Sequence, residues 1–395
     1  MTKRNSIADM KDTVAGWRRE LHMNPGVKHE EKFAHDFIKS RLDELGVTYK
    51  DGYGGYGIVA VIEGNTNTSG KTIGLRADMD ALPLTEESNQ PWASKIDGVM
   101  HACGHDGHTA TLLGVAKYLS ETKNFNGTAH LIFQPAEEGG HGADKMIADG
   151  LFNDFPCDTV YGLHNWPFQK MGTAGIKPGP MMASVDEFNV TITGVGGHAA
   201  MPQMCIDPIV IAAHFISQAQ TIISRTTDPV QSAVLSFTDL HAGEGASNII
   251  PEFTKIKGTI RTFDFEVRAD IQKRLEKLAK SICEMNDAKC DIEIIPHIDP
   301  TINDAAEATF CADIAADMLG EDNVNRAVEP CMGGEDFGSM LKDRPGAYIW
   351  FGQATDDEHS PHNQGLHSPK YDFNDDVLPT TIEYMAELVE RKLKA

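Results

Sequence analysis

The sequence predicts an α/β protein: a mostly parallel sheet with helices on both faces, into which a smaller α+β domain is inserted. Three observations carry this. Short apolar runs alternate with amphipathic helical stretches over the first 180 residues, the pattern of a parallel sheet covered by helices. Between 184 and 296 the pattern changes to strands that alternate apolar and polar residues, as half-exposed strands do. Clusters of His, Cys, Asp and Glu fall just after the apolar runs, and the carboxyl ends of strands are where ligands bind in open α/β sheets.

Taken in order, residues 7–23 and 30–45 read as two amphipathic helices separated by Asn24-Pro25-Gly26. Strand patterns follow near 57–63 and 72–77, a helix over 104–121, buried strands at 128–134 and 158–163, and a short helix at 143–149 between these two. Asp186-Glu-Phe-Asn-Val-Thr-Ile-Thr alternates along 186–193. A helix over about 207–224 follows, with Asp207 suited to the N-cap and Pro208 to the first helical position. Strands near 231–239 and 254–262, a helix at 264–286 and a strand at 289–295 complete the order β-α-β-β-α-β, the ferredoxin-like unit. Helix 304–320, strand 346–352 and helix 376–394 return to the larger sheet. The expected domains are thus 1–183 and 297–395 for the larger one, and 184–296 for the insertion.

At 395 residues the chain is long for a single core, consistent with two domains. With 35 Lys and Arg against 58 Asp and Glu, its formal charge is −23, which argues against nucleic acid and anionic membranes as partners. Seven widely spread cysteines do not make a disulfide framework, and reduced thiols point to the cytoplasm. The N-terminal stretch has no apolar region of the signal-peptide kind. No apolar run approaches the roughly 20 residues of a membrane span.

The densest chemistry lies in His101-Ala-Cys-Gly-His105-Asp-Gly-His108, with three imidazoles, a thiol and a carboxylate in eight residues. Thiolate sulfur and imidazole nitrogen, with carboxylate oxygen nearby, are the donors a zinc-like ion selects. Cys103 and His105 precede a helix, whose dipole favours a thiolate. His101 and His108 read as supporting residues that fix a ligand. Glu137-Glu138, in Gln134-Pro-Ala-Glu-Glu-Gly-Gly, follow a strand at a glycine-rich bend. Adjacent side chains diverge there, so one carboxylate can bind metal while the other takes a proton from water. His164 follows the strand at 158–163. The set implies metal-assisted hydrolysis rather than a structural metal.

Weaker signals remain open on the residues alone. Asp78 and Asp80, spaced D-x-D, fit either ligands or their supports. His359, His362 and His367 share a polar loop, and spacing does not choose among them. His198 lies in a glycine-rich turn, where a plain hairpin explains it equally. Asn248 and Arg261 lie near strand positions; an Arg reads a carboxylate by a bidentate fork, yet alone each fits a structural role. Gly333-Gly-Glu-Asp-Phe is a further candidate loop.

Seven motifs together resemble one family: Leu75-Arg-Ala-Asp-Met-Asp-Ala-Leu-Pro, His101-Ala-Cys-Gly-His-Asp-Gly-His, Phe133-Gln-Pro-Ala-Glu-Glu, Gly162-Leu-His-Asn, Gly196-Gly-His-Ala-Ala-Met-Pro, Gly333-Gly-Glu-Asp-Phe and Leu366-His-Ser-Pro-Lys-Tyr-Asp-Phe-Asn. In this order they resemble the two-metal amidohydrolase branch of the aminoacylase and carboxypeptidase-like family, which includes hippurate hydrolases, N-acyl-amino-acid amidohydrolases and auxin-conjugate hydrolases. The resemblance implies two divalent ions per subunit, of zinc, manganese, cobalt or nickel, bridged by Cys103 and completed by His105, Glu138, His164 and His367. It implies Glu137 as general base, His198 as the residue that stabilises the oxyanion in a partner subunit's site, and Asn248 and Arg261 as holders of the substrate carboxylate. It also implies a homodimer built on the inserted domain. Asp80 matches an aspartate that orients a ligand histidine. In sister branches a histidine stands where this chain has Asp78, so both aspartates stay outside the ligand set.

The implied reaction is hydrolysis of an N-acyl amino acid, of N-acetyl or N-benzoyl type, to a carboxylic acid and a free amino acid. A dipeptidase or carboxypeptidase with the same centre is the near alternative. A two-metal phosphohydrolase lacks support because the chain offers no evident phosphate-cradling glycine loop. A zinc deaminase lacks its His-x-Glu and Pro-Cys-x-x-Cys signatures. A catalytically silent metal binder is disfavoured by the presence of Glu137.

Overall fold

The structure is a computed structural model and describes residues 3–394. It divides into two compact units. The larger comprises the chain through Met181, Ile302–Glu329 and the chain from Asp336 onward; the smaller comprises Met182–Thr301 and Pro330–Glu335.

In the larger unit the principal strands are β1 (Thr48–Tyr53), β2 (Gly57–Glu63), β3 (Thr72–Asp78), β4 (Thr128–Gln134) and β5 (Thr159–Lys170). In the smaller they are β6 (Val185–Thr193), β7 (Ala233–Ala242), β8 (Phe253–Thr262) and β9 (Lys289–Ile298), and β10 (Gly346–Ala354) returns to the larger. The principal helices are α1 (Lys11–Met23), α2 (Lys32–Glu44), α3 (His105–Thr122), α4 (Pro208–Thr221), α5 (Phe265–Met285), α6 (Ala305–Leu319) and α7 (Leu378–Lys392).

The large sheet runs β1-β2-β4-β3-β5-β10 and ends in the two-residue strands Ala174–Gly175 and Val324–Asn325. The pairings β4–β3, β3–β5 and β5–β10 are parallel, while β1–β2 and β2–β4 are antiparallel. Every residue of β4, Thr-Ala-His-Leu-Ile-Phe-Gln, is buried. Both faces of the central strands are therefore covered, which a parallel sheet requires. Leu75, Leu131, Phe133, Ile349 and Phe351 fill the core beside Leu112, Leu113 and Leu119 of α3 and Ile382 of α7.

In the smaller unit the strand order is β7-β8-β6-β9, antiparallel throughout. That is the order of the ferredoxin-like arrangement expected from β-α-β-β-α-β. β8 alternates exposed and buried residues, and the inward side of the sheet, with Phe188 of β6 and Ile256 of β8, packs on α4 and α5 through Phe215 and Leu275. Asp207 caps α4 by accepting from the Ile209 N–H at 2.9 Å. Asp186 of β6 accepts from Arg268 Nε at 3.0 Å, tying α5 to the sheet.

Several element bounds differ from those expected. The first helix is interrupted at Asp9-Met10, where Met10 N–H closes a turn on Ile7 O. β1 was not expected; Thr-Tyr-Lys-Asp-Gly-Tyr is a polar edge strand without an apolar run. β5 continues past residue 163 to Lys170 because β10 keeps pairing with it. Pro330–Glu335 belongs to the smaller unit, since Ala183 N–H donates to Cys331 O at 3.1 Å and Gly333 O at 2.9 Å.

Candidate metal centre

The cluster lies where β3, β4 and β5 end and α3 begins. Asp78 closes β3, Glu137 and Glu138 follow β4, and His164 sits within β5 beside Trp350 of β10. Cys103 and Gly104 lead into α3, whose first residue is His105. Gly104 has φ +94°, and an added Cβ there would meet Asn165 Oδ1 at 2.4 Å and Tyr371 Oη at 2.6 Å. Only glycine allows both the left-handed turn and this close approach.

Donor atoms of Cys103, His105 and His164 lie within 4.8 Å of one another, as do those of Cys103, Glu138 and His367, and those of His105, Glu137 and Glu138. These overlapping sets join all five expected ligands and the expected base. Cys103 Sγ is 3.4 Å from His164 Nε2. His367 Nε2 is 3.3 Å from Glu138 Oε1. His367 has φ +65° and its N–H donates to Ala102 O at 2.8 Å, which fastens the C-terminal loop to the Cys103 segment. The structure thus separates His367 from His359 and His362. His362 Nδ1 instead meets Asp372 O at 3.1 Å, and His359 is exposed.

Asp80 clamps two members of the cluster. His105 Nδ1 lies 3.0 Å from its backbone O and 3.2 Å from its Oδ1, and Asp80 Oδ2 accepts from the Glu138 N–H at 2.9 Å. With its Nδ1 proton so directed, His105 keeps its Nε2 lone pair for a metal. That Nε2 is buried without a hydrogen-bond partner, 3.7 Å from Asp78 Oδ2, which suits a metal ligand. His164 is held in the same way, its Nδ1 2.6 Å from Asn165 O.

The electrostatics fit a cation. Burial disfavours a charged His105, yet the Asp78 and Cys103 charges outweigh it and hold its pKa well above the ordinary value. Contacts with Cys103 and Glu138 raise His367 to about 10. Burial and the neighbouring His108 push His164 well below its usual value. Burial pushes the Cys103 thiol pKa up, against the lowering effect of His105. Two imidazoles are thus drawn into the charged form by surrounding negative groups, and a metal ion supplies that positive charge while displacing their protons.

His101 and His108 stand outside the direct donor sets expected for ligation. His108 bridges Asp78 Oδ1 at 2.6 Å and Asn165 Oδ1 at 2.7 Å, supporting the strand end. A buried group formed by Asp78, His105 and His108 also meets the spacing of a metal site. Against its burial, His105 first, then Arg76 and His108, hold Asp78 well below the usual carboxylate range; the buried Arg76 donates from Nη1 to Asp78 Oδ2 at 2.6 Å and from Nη2 to Asp336 Oδ1 at 3.1 Å. Asp336 thereby accounts for part of the Gly333-Gly-Glu-Asp-Phe motif. Its Oδ2 accepts from the Ala143 N–H at 3.0 Å.

Sequence reasoning missed the layer beneath. Asn165 donates to Tyr371 Oη at 2.7 Å and to Gln353 Oε1 at 3.1 Å. His22 Nδ1 meets Asp106 Oδ2 at 2.8 Å, and Arg18 reaches Asp106, Asp372 and Asp375. Asn165, Asp106 and Asp372 lie inside the quoted motifs, which was the available signal; Arg18 and His22 carry none.

In the smaller unit the structure brings His198 and Asn248 together. Gly197–His198 pairs with Ile249–Ile250 as a two-stranded ribbon, and Ala199 N–H donates to Asn248 O at 3.0 Å. Both side chains are exposed. Arg261 stands apart on β8, half-buried, its Nη1 without a hydrogen-bond partner. Burial lowers its pKa.

Candidate ligands gathered at strand ends, with a thiol, imidazoles and adjacent carboxylates, are the arrangement a metal-dependent hydrolase needs. Residues 74–391 match peptidase family M20/M25/M40. The chain is 40% identical to the hippurate hydrolase of Campylobacter jejuni, with 98% of each covered. It is 37% identical to an N-acetylcysteine deacetylase of Bacillus subtilis, with 94% of each covered. Among solved structures it resembles the YXEP protein of Bacillus subtilis, described as a dinuclear metal-binding peptidase of the M20 family, at 32% identity and a TM-score of 0.83, with 98% of this chain and 99% of that one covered. The chain belongs to peptidase family M20/M25/M40 and is a metal-dependent amidohydrolase.

Proposed function

We propose that the protein hydrolyses the amide bond of N-acyl amino acids, releasing a carboxylic acid and a free amino acid. The observation that carries this is the convergence of Cys103, His105, Glu138, His164 and His367 around a shared space with Glu137 beside it. In this reading Cys103, His105, Glu138, His164 and His367 would hold two divalent ions of zinc, manganese, cobalt or nickel, with Cys103 shared between them. Bound there, the ions polarise the amide carbonyl and bring the pKa of water to about 7.

Glu137 accepts the proton of the attacking water and returns it to the nitrogen of the leaving amine. Asp80 keeps His105 oriented throughout. His198 donates to the developing oxyanion, and Asn248 with Arg261 holds the carboxylate of the amino-acid half. These three act on the site of a partner subunit, in a homodimer built on the inserted domain. The exposure of His198 and Asn248 supports this, as does a surface rich in exposed apolar residues around them: Val195, Met201, Met204, Ile209 and Ile249. A cavity of about 450 Å³ lies in the same surface, between Ile209, His241, Ile249, Pro251 and Phe253. Among the described residues no helix is long and apolar enough to cross a membrane. Seven free cysteines support a cytoplasmic location.

The test strips the protein with chelator, restores each metal in turn, and assays N-acetyl and N-benzoyl amino acids beside dipeptides. Metal-dependent release of amino acid from the acyl substrates is the expected result. Cleavage of dipeptides alone sinks the reading in favour of a dipeptidase or carboxypeptidase.

A further inference from the structure

The turn that presents Glu137 begins with a residue in a conformation its side chain disfavours. Ala136 has φ +55°, in the left-handed region that costs a residue with a Cβ. Its carbonyl accepts from the N–H groups of Gly140 at 3.1 Å and Gly142 at 3.0 Å, which closes the turn. Its N–H donates to Glu31 Oε1 at 2.9 Å, across 105 residues of sequence.

Glu31 is wholly buried. The same Oε1 also accepts from the N–H of His29, another left-handed residue at φ +65°. The second carboxylate oxygen, Oε2, is buried with no hydrogen-bond partner. A buried acid with one unpartnered oxygen destabilises the fold, so its place needs a reason beyond packing. Its segment touches both strand ends of the metal centre. Gly26 O accepts from the Ala81 N–H at 2.8 Å and Val27 bridges to Ala81, next to Asp80. Lys28 Nζ donates to Gly139 O at 3.3 Å, just beyond Glu138.

We infer that Glu31 is a positioning residue for Glu137: by capturing the Ala136 N–H it holds the left-handed turn that sets the direction in which the base leaves the chain. The inference rests on the assignment of Glu137 as base. Neither Glu31 nor Ala136 touches substrate or metal in this account. Their effect is on the angle of the carboxylate at position 137, and misplacement of a reacting group by about 1 Å can lower turnover roughly a hundredfold.

The experiment measures kcat, KM, bound metal and thermal midpoint for the metal-loaded enzyme and for Glu31→Ala, Glu31→Gln, Glu31→Asp, Glu31→Ala with Ala136→Gly, and Glu137→Gln. Glu31→Ala is expected to lose kcat by roughly ten- to a hundredfold, with KM and metal content little changed. Glu31→Gln keeps an acceptor oxygen in place and is expected to hold kcat within about threefold, whereas Glu31→Asp withdraws the acceptor and is expected to lose it. Ala136→Gly removes the Cβ penalty at φ +55° and is expected to recover about tenfold in kcat of the Glu31→Ala protein. A merely structural role would lower the thermal midpoint without dividing kcat from KM. If Glu31→Ala fails to fold, the contrast between Gln and Asp decides. Unchanged kcat in Glu31→Ala, or equal kcat in the Gln and Asp variants, overturns the inference, as does a loss of metal that accounts for the lost activity. Turnover retained by Glu137→Gln would instead overturn the assignment of the base, whatever Glu31 does.

Discussion

His105 and His198 are assigned to one reaction, yet they stand in opposite surroundings. His105 is buried at the start of α3, its Nδ1 held by Asp80 and its Nε2 without a hydrogen-bond partner, 3.7 Å from Asp78 Oδ2, inside a cluster of thiol and carboxylates. His198 is exposed on a two-residue ribbon, its Nδ1 accepting from the Ala200 N–H at 3.1 Å. The first is prepared within its own unit, where buried donors converge on a space that suits a metal ion. The second faces solvent on its own unit, and its proposed role needs a partner surface. Burial with an unpartnered nitrogen points to a metal, and exposure among apolar residues points to a partner surface.

The comparison can be broken first at the base. Glu137→Gln should keep its metal and lose at least about a thousandfold in kcat, the upper part of the range for acid–base catalysis. Wild-type turnover in that protein would remove Glu137 from the mechanism. Next is Gly104→Ala, whose Cβ would collide with Asn165 and Tyr371. It should lose metal and activity together, as metal analysis would register, with full loading as the contrary outcome. His198→Ala should lower kcat about a hundred- to a thousandfold, the size of one oxyanion donor, while leaving metal content intact. If His198→Ala instead strips metal, the two regions are not the independent devices described.

What the sequence made legible divides along the same line. The strand ends, the His101–His108 stretch, the adjacent glutamates and His164 were readable because apolar runs mark strands and unusual donors stand just past them. Asp80 and His367 gained definition only as the fold brought them to His105 and Glu138. Glu31, Arg18 and His22 were not readable at all. Each is a buried polar residue on an N-terminal helix or loop, and its partners, such as Ala136 or Asp372, lie tens to hundreds of positions away. Periodicity reports which face is apolar; it carries nothing about which buried charge meets which. His198 and Asn248 were visible as motifs, but a turn and a loop give no spacing from which to derive a role.

Two smaller effects sharpen the account. Arg261→Lys should raise KM for acyl amino acids about tenfold with little change in kcat, because a point charge replaces a bidentate fork; an equal loss in kcat would mean that Arg261 acts in the transition state. The smallest effect concerns pH. Burial opposes protonation of His22, but Asp106 and Glu86 outweigh it and raise its pKa from 6.5 to about 9. A raised folded-state value stabilises the fold fully below the unfolded value and loses that contribution as pH rises through the folded one. The thermal midpoint should therefore fall between pH 6.5 and about 9 more steeply in the wild type than in His22→Gln. Parallel curves would separate His22 from that loss.

The most direct test of a buried metal centre served by a second chain is complementation. Glu137→Gln and His198→Ala proteins, each inactive, are mixed in equal amounts and allowed to exchange subunits. Half of the dimers then carry one site with both defects and one with neither, so activity should rise to about a quarter of the wild-type level. No recovery, with exchange demonstrated by labelled subunits, would contradict a site that draws His198 from its partner.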